Sequence, residues 1–98
     1  MYNLILLEEA DKEFQDAALW YEEKSSGLGL RFIEVIKRKF EIIQQFPESN
    51  TRRVGNFRES VVKIFPYTIV YTFSKKEGLI TVVSIFHTSR DPRKKYRK

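Results

Sequence analysis

The spacing of apolar residues predicts two consecutive helices in the first half of the chain. From Glu8 to Lys24, small and aromatic apolar residues recur every three or four positions, the pattern of an amphipathic helix with an acidic outer face. The same period returns over residues 30–46, and Pro47 ends it. Because glycines within 25–29 permit a left-handed turn, we expect an antiparallel helical hairpin, with Trp20 packed against the second helix.

Shorter apolar segments, rich in β-branched and aromatic residues, predict the strands. Residues 2–7 predict a first strand that is buried on both faces. Three more strands are predicted at 57–64, 67–74 and 79–86. Gly78 suits a hairpin loop at 75–78, and Pro66 suits the preceding bend because it has no N–H to donate to a central strand. The polar segment 47–56 predicts a loop, with room for a short edge strand.

The order of these elements predicts an α+β fold, because the helices and the later strands are segregated along the chain. We expect a single domain over residues 1–98 with the order β-α-α-β-β-β. Its antiparallel sheet is expected to be covered on one face by the helical hairpin. A chain of 98 residues is long enough to bury roughly 60–65 % of its unfolded surface.

The positive charge of the chain is concentrated in a basic tail at about residues 90–98. The sequence has 18 basic and 13 acidic residues, a net charge of +5. The tail contributes six bases and one acid, so residues 1–89 are neutral overall. Such a tail is expected to attract a nucleic acid or an acidic protein surface, although basic tails are as often simply solvated.

Composition argues against several classes of site. With one His and no Cys, the chain has neither the ligands of a zinc site nor a disulfide. It has no glycine-rich phosphate loop, so we expect no cofactor and no metal. No apolar run reaches the length of a membrane span, and no secretion signal follows Met1. The expected location is the cytoplasm, with no membrane partner.

Candidate chemistry gathers at the end of the last predicted strand. Strict alternation along 79–87 places Val83, Ile85 and His87 on one side of the sheet. His87 therefore ends the strand, three residues before Arg90. The candidates for binding phosphate or an acidic target, gathered at one end of the sheet, are Arg58, Lys63, Arg90, Arg93, Lys94 and Lys95.

The same region also has side chains that could catalyse a reaction. His87, Arg90 and Tyr96 supply the groups for in-line RNA cleavage, which needs a base, an acid and a cation that stabilises the phosphorane. The structural alternatives are that His87 caps a strand end and that Arg90 forms a local ion pair with Asp91.

The order and spacing of several short motifs resemble the RelE/ParE superfamily of bacterial toxins, and the ParE branch in particular. The motifs are Trp20-Tyr21, residues 27–32, Phe46-Pro47, Phe57-Arg58, Phe65-Pro66-Tyr67 and residues 87–92. The resemblance implies the toxin of a type II toxin–antitoxin, or plasmid stabilisation, module. Such a toxin is neutralised by a cognate antitoxin in a hetero-oligomer.

The two branches of this superfamily imply different targets. ParE-like members inhibit DNA gyrase and are not enzymes, whereas RelE-like members cleave ribosome-bound mRNA. RelE-like nucleases commonly carry Arg at the position of Thr68. This chain therefore lacks a cation that would stabilise the phosphate there. Tyr96, in contrast, resembles the late tyrosine of the RelE branch. The expected function is gyrase inhibition; the alternatives are an mRNA endoribonuclease or a degenerate, non-toxic antitoxin-binding member.

Overall fold

The computed structural model describes residues 1–90 and Tyr96, in which two helices cover one face of a five-stranded sheet. The elements are β1 (Asn3–Leu6), α1 (Glu8–Lys24), α2 (Leu28–Gln45), β2 (Arg52–Val54), β3 (Phe57–Val62), β4 (Tyr67–Ser74) and β5 (Leu79–His87). The strand order is β1-β5-β4-β3-β2. The predicted α+β class is confirmed, and the short edge strand is β2.

The sheet is mixed because β1 joins it in parallel. Strands β2 to β5 pair antiparallel in sequence order, and the loop between β4 and β5 turns at Gly78, where φ is 64°. β1 lies beside β5 at the edge of the sheet, with Leu6 opposite Val82. The prediction that the first strand is buried on both faces is wrong: Asn3 and Ile5 are exposed, because the helices cover only the other face.

An extra residue interrupts the pairing of β4 with β5. Tyr71 lies opposite Val82, whereas Val70 lies opposite Ser84, so Val83 is inserted as a bulge. The β5 side chains in the helix-side core are Ile80, Val82 and Ile85, and those in the cluster on the other face are Val83 and Phe86. The predicted strict alternation is therefore wrong, because a bulge changes which face the following residues occupy.

The main core lies between the helical hairpin and the sheet. α1 packs over β5, and α2 packs over β3. Phe32 of α2 is fully buried, and its ring contacts those of Tyr21 and Phe65 at centroid distances of 5.2 and 5.1 Å. Within the described residues, neither helix is long and apolar enough to cross a membrane.

The two helices approach each other closely at Gly29. A Cβ added there would lie 2.5 Å from the carbonyl oxygen of Ala18 and 2.9 Å from Cβ of Glu22. The Glu22 carboxylate accepts the N–H groups of Gly27 and Gly29, each at 3.0 Å, and so satisfies donors at the start of α2. Gly29 therefore sets how closely the two helices pack.

We expect Gly29→Ala to lower the free energy of unfolding by about 1–3 kcal/mol, because backbone has to move to make room for the methyl group. Urea denaturation of the variant measures the loss. Leu30→Ala is the matched control, since that side chain is exposed, and it should change the stability little. Equal stability of Gly29→Ala and the wild type would contradict the close packing.

Candidate functional site

A cleft of about 580 Å³ opens where α1 passes over the C-terminal end of β5. Its walls come from α1, from the start of β4 and from the residues at and after the end of β5. The lining side chains with chemical or binding potential are Glu13, Asp16, Trp20, Tyr67, His87 and Arg90. We call this site the Arg90 cleft.

The helical period brings three of these residues to one side of α1. Glu13, Asp16 and Trp20 follow one another at spacings of three and four, so they line the cleft together. Trp20 is 52 % exposed. Its ring meets that of Tyr21 edge-on, with the ring centres 5.0 Å apart, and the Lys24 ammonium lies 4.9 Å from the centre of the Trp20 ring. Instead of packing against the second helix as predicted, it forms part of the cleft wall.

His87 ends β5 opposite Tyr67 of β4, and the two rings meet edge-on at 5.0 Å. Its Nδ1 accepts the backbone N–H of Ser89 at 3.0 Å and lies 2.7 Å from the Ser89 hydroxyl. A backbone N–H can only donate, so Nδ1 carries no proton and a neutral ring carries it on Nε2. The nitrogen left free by Ser89 is therefore a donor, and it is not available as a general base.

Tyr67 provides a hydroxyl donor rather than a base. Burial, followed by the charge of Tyr21, raises the pKa of its hydroxyl to about 12, although the charge of Arg90 opposes the shift. Tyr67 is consequently protonated at neutral pH. Tyr71, four residues later on β4, is fully buried and donates its hydroxyl proton to the Pro47 carbonyl at 2.8 Å. Its role is therefore structural.

Arg90 is paired with a residue of the first helix. Its Nη1 donates to Oε2 of Glu13 at 2.8 Å, and its guanidinium lies 5.6 Å from the centre of the Phe86 ring. The Arg90 side chain is 43 % exposed and that of Glu13 is 15 % exposed. The Arg90 guanidinium therefore lies at the surface of the cleft, and the Glu13 carboxylate that binds it lies deeper.

The same carboxylate also binds β5. Oε1 of Glu13 accepts the backbone N–H of Ile85 at 3.0 Å and the hydroxyl of Ser84 at 3.2 Å. β1 pairs with β5 only as far as Leu6 opposite Val82, so Ile85 lies on a strand edge that β1 does not reach. Glu13 covers this edge from the helical layer.

Sequence reasoning assigned Glu13 to a solvated acidic surface and missed its role. A signal was nevertheless present in its position. Glu13 follows Ala10 by three residues and precedes Ala17 by four, and both alanines belong to the buried stripe of α1. An acid on the apolar stripe of a helix requires a partner, because burying an unpaired charge is costly.

Arg58 is not brought to the cleft. It lies opposite Tyr71 on β3, whereas His87 lies opposite Tyr67, so about 13 Å of strand separates the two levels. Its guanidinium donates to the backbone carbonyls of Glu48 and Asn50 and holds that loop. The expected grouping of Arg58 with His87 and Arg90 is therefore not found, because the antiparallel register puts Arg58 at the far end of its strand.

Tyr96 lies on the opposite face of the sheet from the helices. Its ring packs against Phe57 at 5.3 Å, and its hydroxyl donates to the Glu59 carboxylate. Burial, followed by the hydrogen bond and the charge of Glu59, raises the Tyr96 pKa to about 12. The structure therefore does not bring Tyr96 together with His87 and Arg90. The predicted tail bases Arg93, Lys94 and Lys95 lie outside the described residues.

Lys63 lines a second concavity, of about 390 Å³, on the other flank of the helical hairpin. We call it the α2 groove. Its apolar surface comes from Val35, Ile42, Val62 and Ile64, and its charged residues are Arg31, Glu34, Arg38, Lys39 and Lys63. Cations outnumber acids there by four to one, and Ile42 and Ile64 are 44 % and 62 % exposed.

The cleft and the groove share none of their lining residues. In the part of the chain that the structure describes, no three His, Cys, Asp or Glu side chains are grouped as metal ligands would be.

Comparison with known proteins identifies a family over most of the chain. Residues 4–92 match the model of the ParE toxin of type II toxin–antitoxin systems, parDE. No curated protein sequence matches the chain at a significant level. The resemblance to the RelE/ParE superfamily seen in the sequence motifs is therefore confirmed.

Solved structures with low sequence identity share the fold. A chromosomal ParDE system from P. aeruginosa is 17 % identical, with a TM-score of 0.74, over 91 % of this chain and 98 % of that chain. The isolated E. coli RelE toxin is 22 % identical, with a TM-score of 0.66, over 93 % and 88 % of the two chains. The intact E. coli RelBE toxin–antitoxin complex is 22 % identical, with a TM-score of 0.67, over 92 % and 100 %.

We expect neutral His87 to carry its proton on Nε2, because Ser89 donates to Nδ1. Two-bond ¹H–¹⁵N correlation spectra of the imidazole at mildly alkaline pH distinguish the two tautomers directly. Ser89→Pro removes the donating N–H and should raise the proportion of the Nδ1–H form. A wild-type spectrum dominated by the Nδ1–H form would contradict the hydrogen-bond assignment.

Proposed function

Because this chain belongs to the ParE toxin family of type II toxin–antitoxin systems, we propose that it arrests growth by binding DNA gyrase and catalyses no reaction of its own. The observation that carries the proposal is the match of residues 4–92 to the ParE toxin model. As a member of this family the chain is a toxin, and a cognate antitoxin is its partner in a hetero-oligomer.

The geometry around His87 supports a binding role over RNA cleavage. The free nitrogen of neutral His87 is a donor, Thr68 is a buried neutral residue where a nuclease would carry a cation, and Tyr96 lies on the other face of the sheet. A nuclease needs a base, an acid and a cation in reach of one phosphate. His87, Thr68 and Tyr96 do not bring a base, an acid and a cation within reach of one phosphate.

The Arg90 cleft has the composition of a protein-binding site. Trp, Tyr and Arg are the residue types that most often dominate binding energy at protein interfaces, and Trp20, Tyr67 and Arg90 stand together here. Arg90 provides a cation for an acidic side chain of the target, and Trp20 provides a half-exposed apolar surface beside it. We propose this cleft as the surface that contacts gyrase, extended by Arg93, Lys94 and Lys95 of the tail.

We propose that the antitoxin occupies the α2 groove. An amphipathic segment lays its apolar face on an apolar groove, and acidic residues along its flank complement a basic rim. Ile42 and Ile64 offer the apolar contact, while Arg31 and Arg38 on α2 offer the positive rim. The proposed partner is therefore an antitoxin segment with alternating apolar and acidic positions.

A ribosome-dependent mRNA endoribonuclease is the second candidate. It is favoured by the fold shared with the E. coli RelE toxin and by the presence of His87 and Arg90 in one cleft. Cleavage by this route would need the other tautomer of His87, in which Nε2 carries no proton and can act as the base. The two candidates differ in what happens to gyrase and to mRNA.

We expect the purified chain to inhibit DNA supercoiling by gyrase, and Arg90→Gln to raise the inhibitory concentration roughly tenfold or more, as loss of a charged hydrogen-bonding group at an interface does. Titration of the chain in a supercoiling assay gives both values. Arg52→Gln is the matched control, since Arg52 is exposed on β2 and lies outside the cleft.

The competing functions give different results after expression in a host without the antitoxin. Growth arrest with intact mRNA and failed supercoiling supports gyrase as the target. Cleaved mRNA on ribosomes with normal supercoiling would replace the proposal by the nuclease. Normal growth, with full-length folded protein present, would identify a degenerate binding member.

We expect the double variant Arg31→Glu/Arg38→Glu to bind the cognate antitoxin at least roughly tenfold more weakly, because like charges then face each other along the groove. The antitoxin is sought as the product of the neighbouring reading frame, and calorimetry measures the affinity. Lys37→Glu, on α2 but outside the groove, is the control. Unchanged affinity of the double variant would place the antitoxin elsewhere.

A further inference from the structure

We propose that Glu13 is a positioning residue, which holds the Arg90 guanidinium in the cleft so that its remaining donors meet an acidic group of the protein target. The contact is that of Arg90 Nη1 with Glu13 Oε2 at 2.8 Å. The inference rests on the proposed function for its activity readout, but the geometry it describes can be measured without the target.

The Glu13 carboxylate is itself fixed to the sheet. One of its oxygens accepts the Ile85 N–H and the Ser84 hydroxyl, and the other accepts Arg90. The main chain of β5 therefore determines where the carboxylate stands. Arg90 follows the end of β5 and would otherwise be a long, flexible side chain that loses rotamer entropy on binding.

The contact leaves most of the guanidinium available. A guanidinium has five N–H donors in a planar fork, and the described contacts engage only Nη1 with Glu13. The Phe86 ring, 5.6 Å from the guanidinium carbon, limits its movement on one side. An Arg held in this way presents a preorganised fork, which lowers the ordering cost of binding a carboxylate.

Relative exposure favours positioning over charge masking. The Arg90 side chain is 43 % exposed, and the Glu13 side chain is only 15 % exposed. An approaching target therefore meets the cation more than the anion. If Glu13 masked Arg90 instead, removing its charge would strengthen binding, so the two roles predict opposite effects.

The first test is Glu13→Gln, in which the amide oxygen can still accept the Ile85 N–H while the charge that holds Arg90 is lost. We expect the inhibitory concentration in the supercoiling assay to rise roughly tenfold, the effect of losing one charge-assisted contact. Glu23→Gln, an exposed charge on α1 outside the cleft, is the matched control and should leave the value unchanged. Unchanged or improved inhibition by Glu13→Gln overturns the proposal.

A double-variant cycle separates positioning from stability. In an Arg90→Gln background, Glu13→Gln should have no further effect on inhibition, because the group it positions is gone. Any change that Glu13→Gln makes in the free energy of unfolding through Ser84 and Ile85, measured by urea denaturation, should be the same in both backgrounds, since these two residues contact residue 13 in both. An equal loss of inhibition in both backgrounds would show that Glu13 acts through the fold alone, and would overturn the proposal.

The geometric part is tested without any target. ¹⁵N relaxation of the Arg90 side chain should show an ordered Nε–H in the wild type and in Glu23→Gln, and a mobile one in Glu13→Gln. A mobile Arg90 in the wild type overturns the proposal whatever the toxin acts on. If the wild type does not inhibit gyrase, the proposed function fails, while the relaxation comparison still decides whether Glu13 holds Arg90.

Discussion

Where β1 ends, β5 continues as a sheet edge, and the carboxylate of Glu13 accepts the Ile85 N–H that β1 does not reach. Unpaired strand edges are unfavourable when buried and prone to aggregation when exposed. A helix that follows the edge strand directly can bring a side chain to this place, because its first turns lie just beyond the end of β1. The same carboxylate then has a second oxygen for Arg90. One side chain thus joins the helical layer, the sheet and the candidate site.

The helical hairpin forms two different surfaces because its helices pack over different strands, α1 over β5 and α2 over β3. On the α1 side the cleft combines Trp20, Tyr67 and Arg90. On the α2 side the groove combines exposed aliphatic residues with a basic rim. The target and the antitoxin, as proposed above, would therefore contact distinct residues of one molecule. Close packing at Gly29 sets the distance between the two helices.

Proteins that share this fold can differ in activity. The chain shares its architecture with a ParDE system and with the RelE toxin at comparable TM-scores. Activity is set by the residues that a fold carries at its sites. In this chain the local features are the Ser89 N–H, which donates to Nδ1 of His87, and the neutral side chain of Thr68 on β4.

The sequence by itself determined the two helices, the later strands, the α+β class and the position of His87 and Arg90 at one strand end, because all of these follow from local periodicity and order. Only the tertiary structure decided that Arg58 holds a loop, that Val83 forms a bulge, and that Glu13 binds Arg90 across 77 residues. Register and contacts between distant elements depend on how whole faces pack together. Neither is encoded in the period of any single segment.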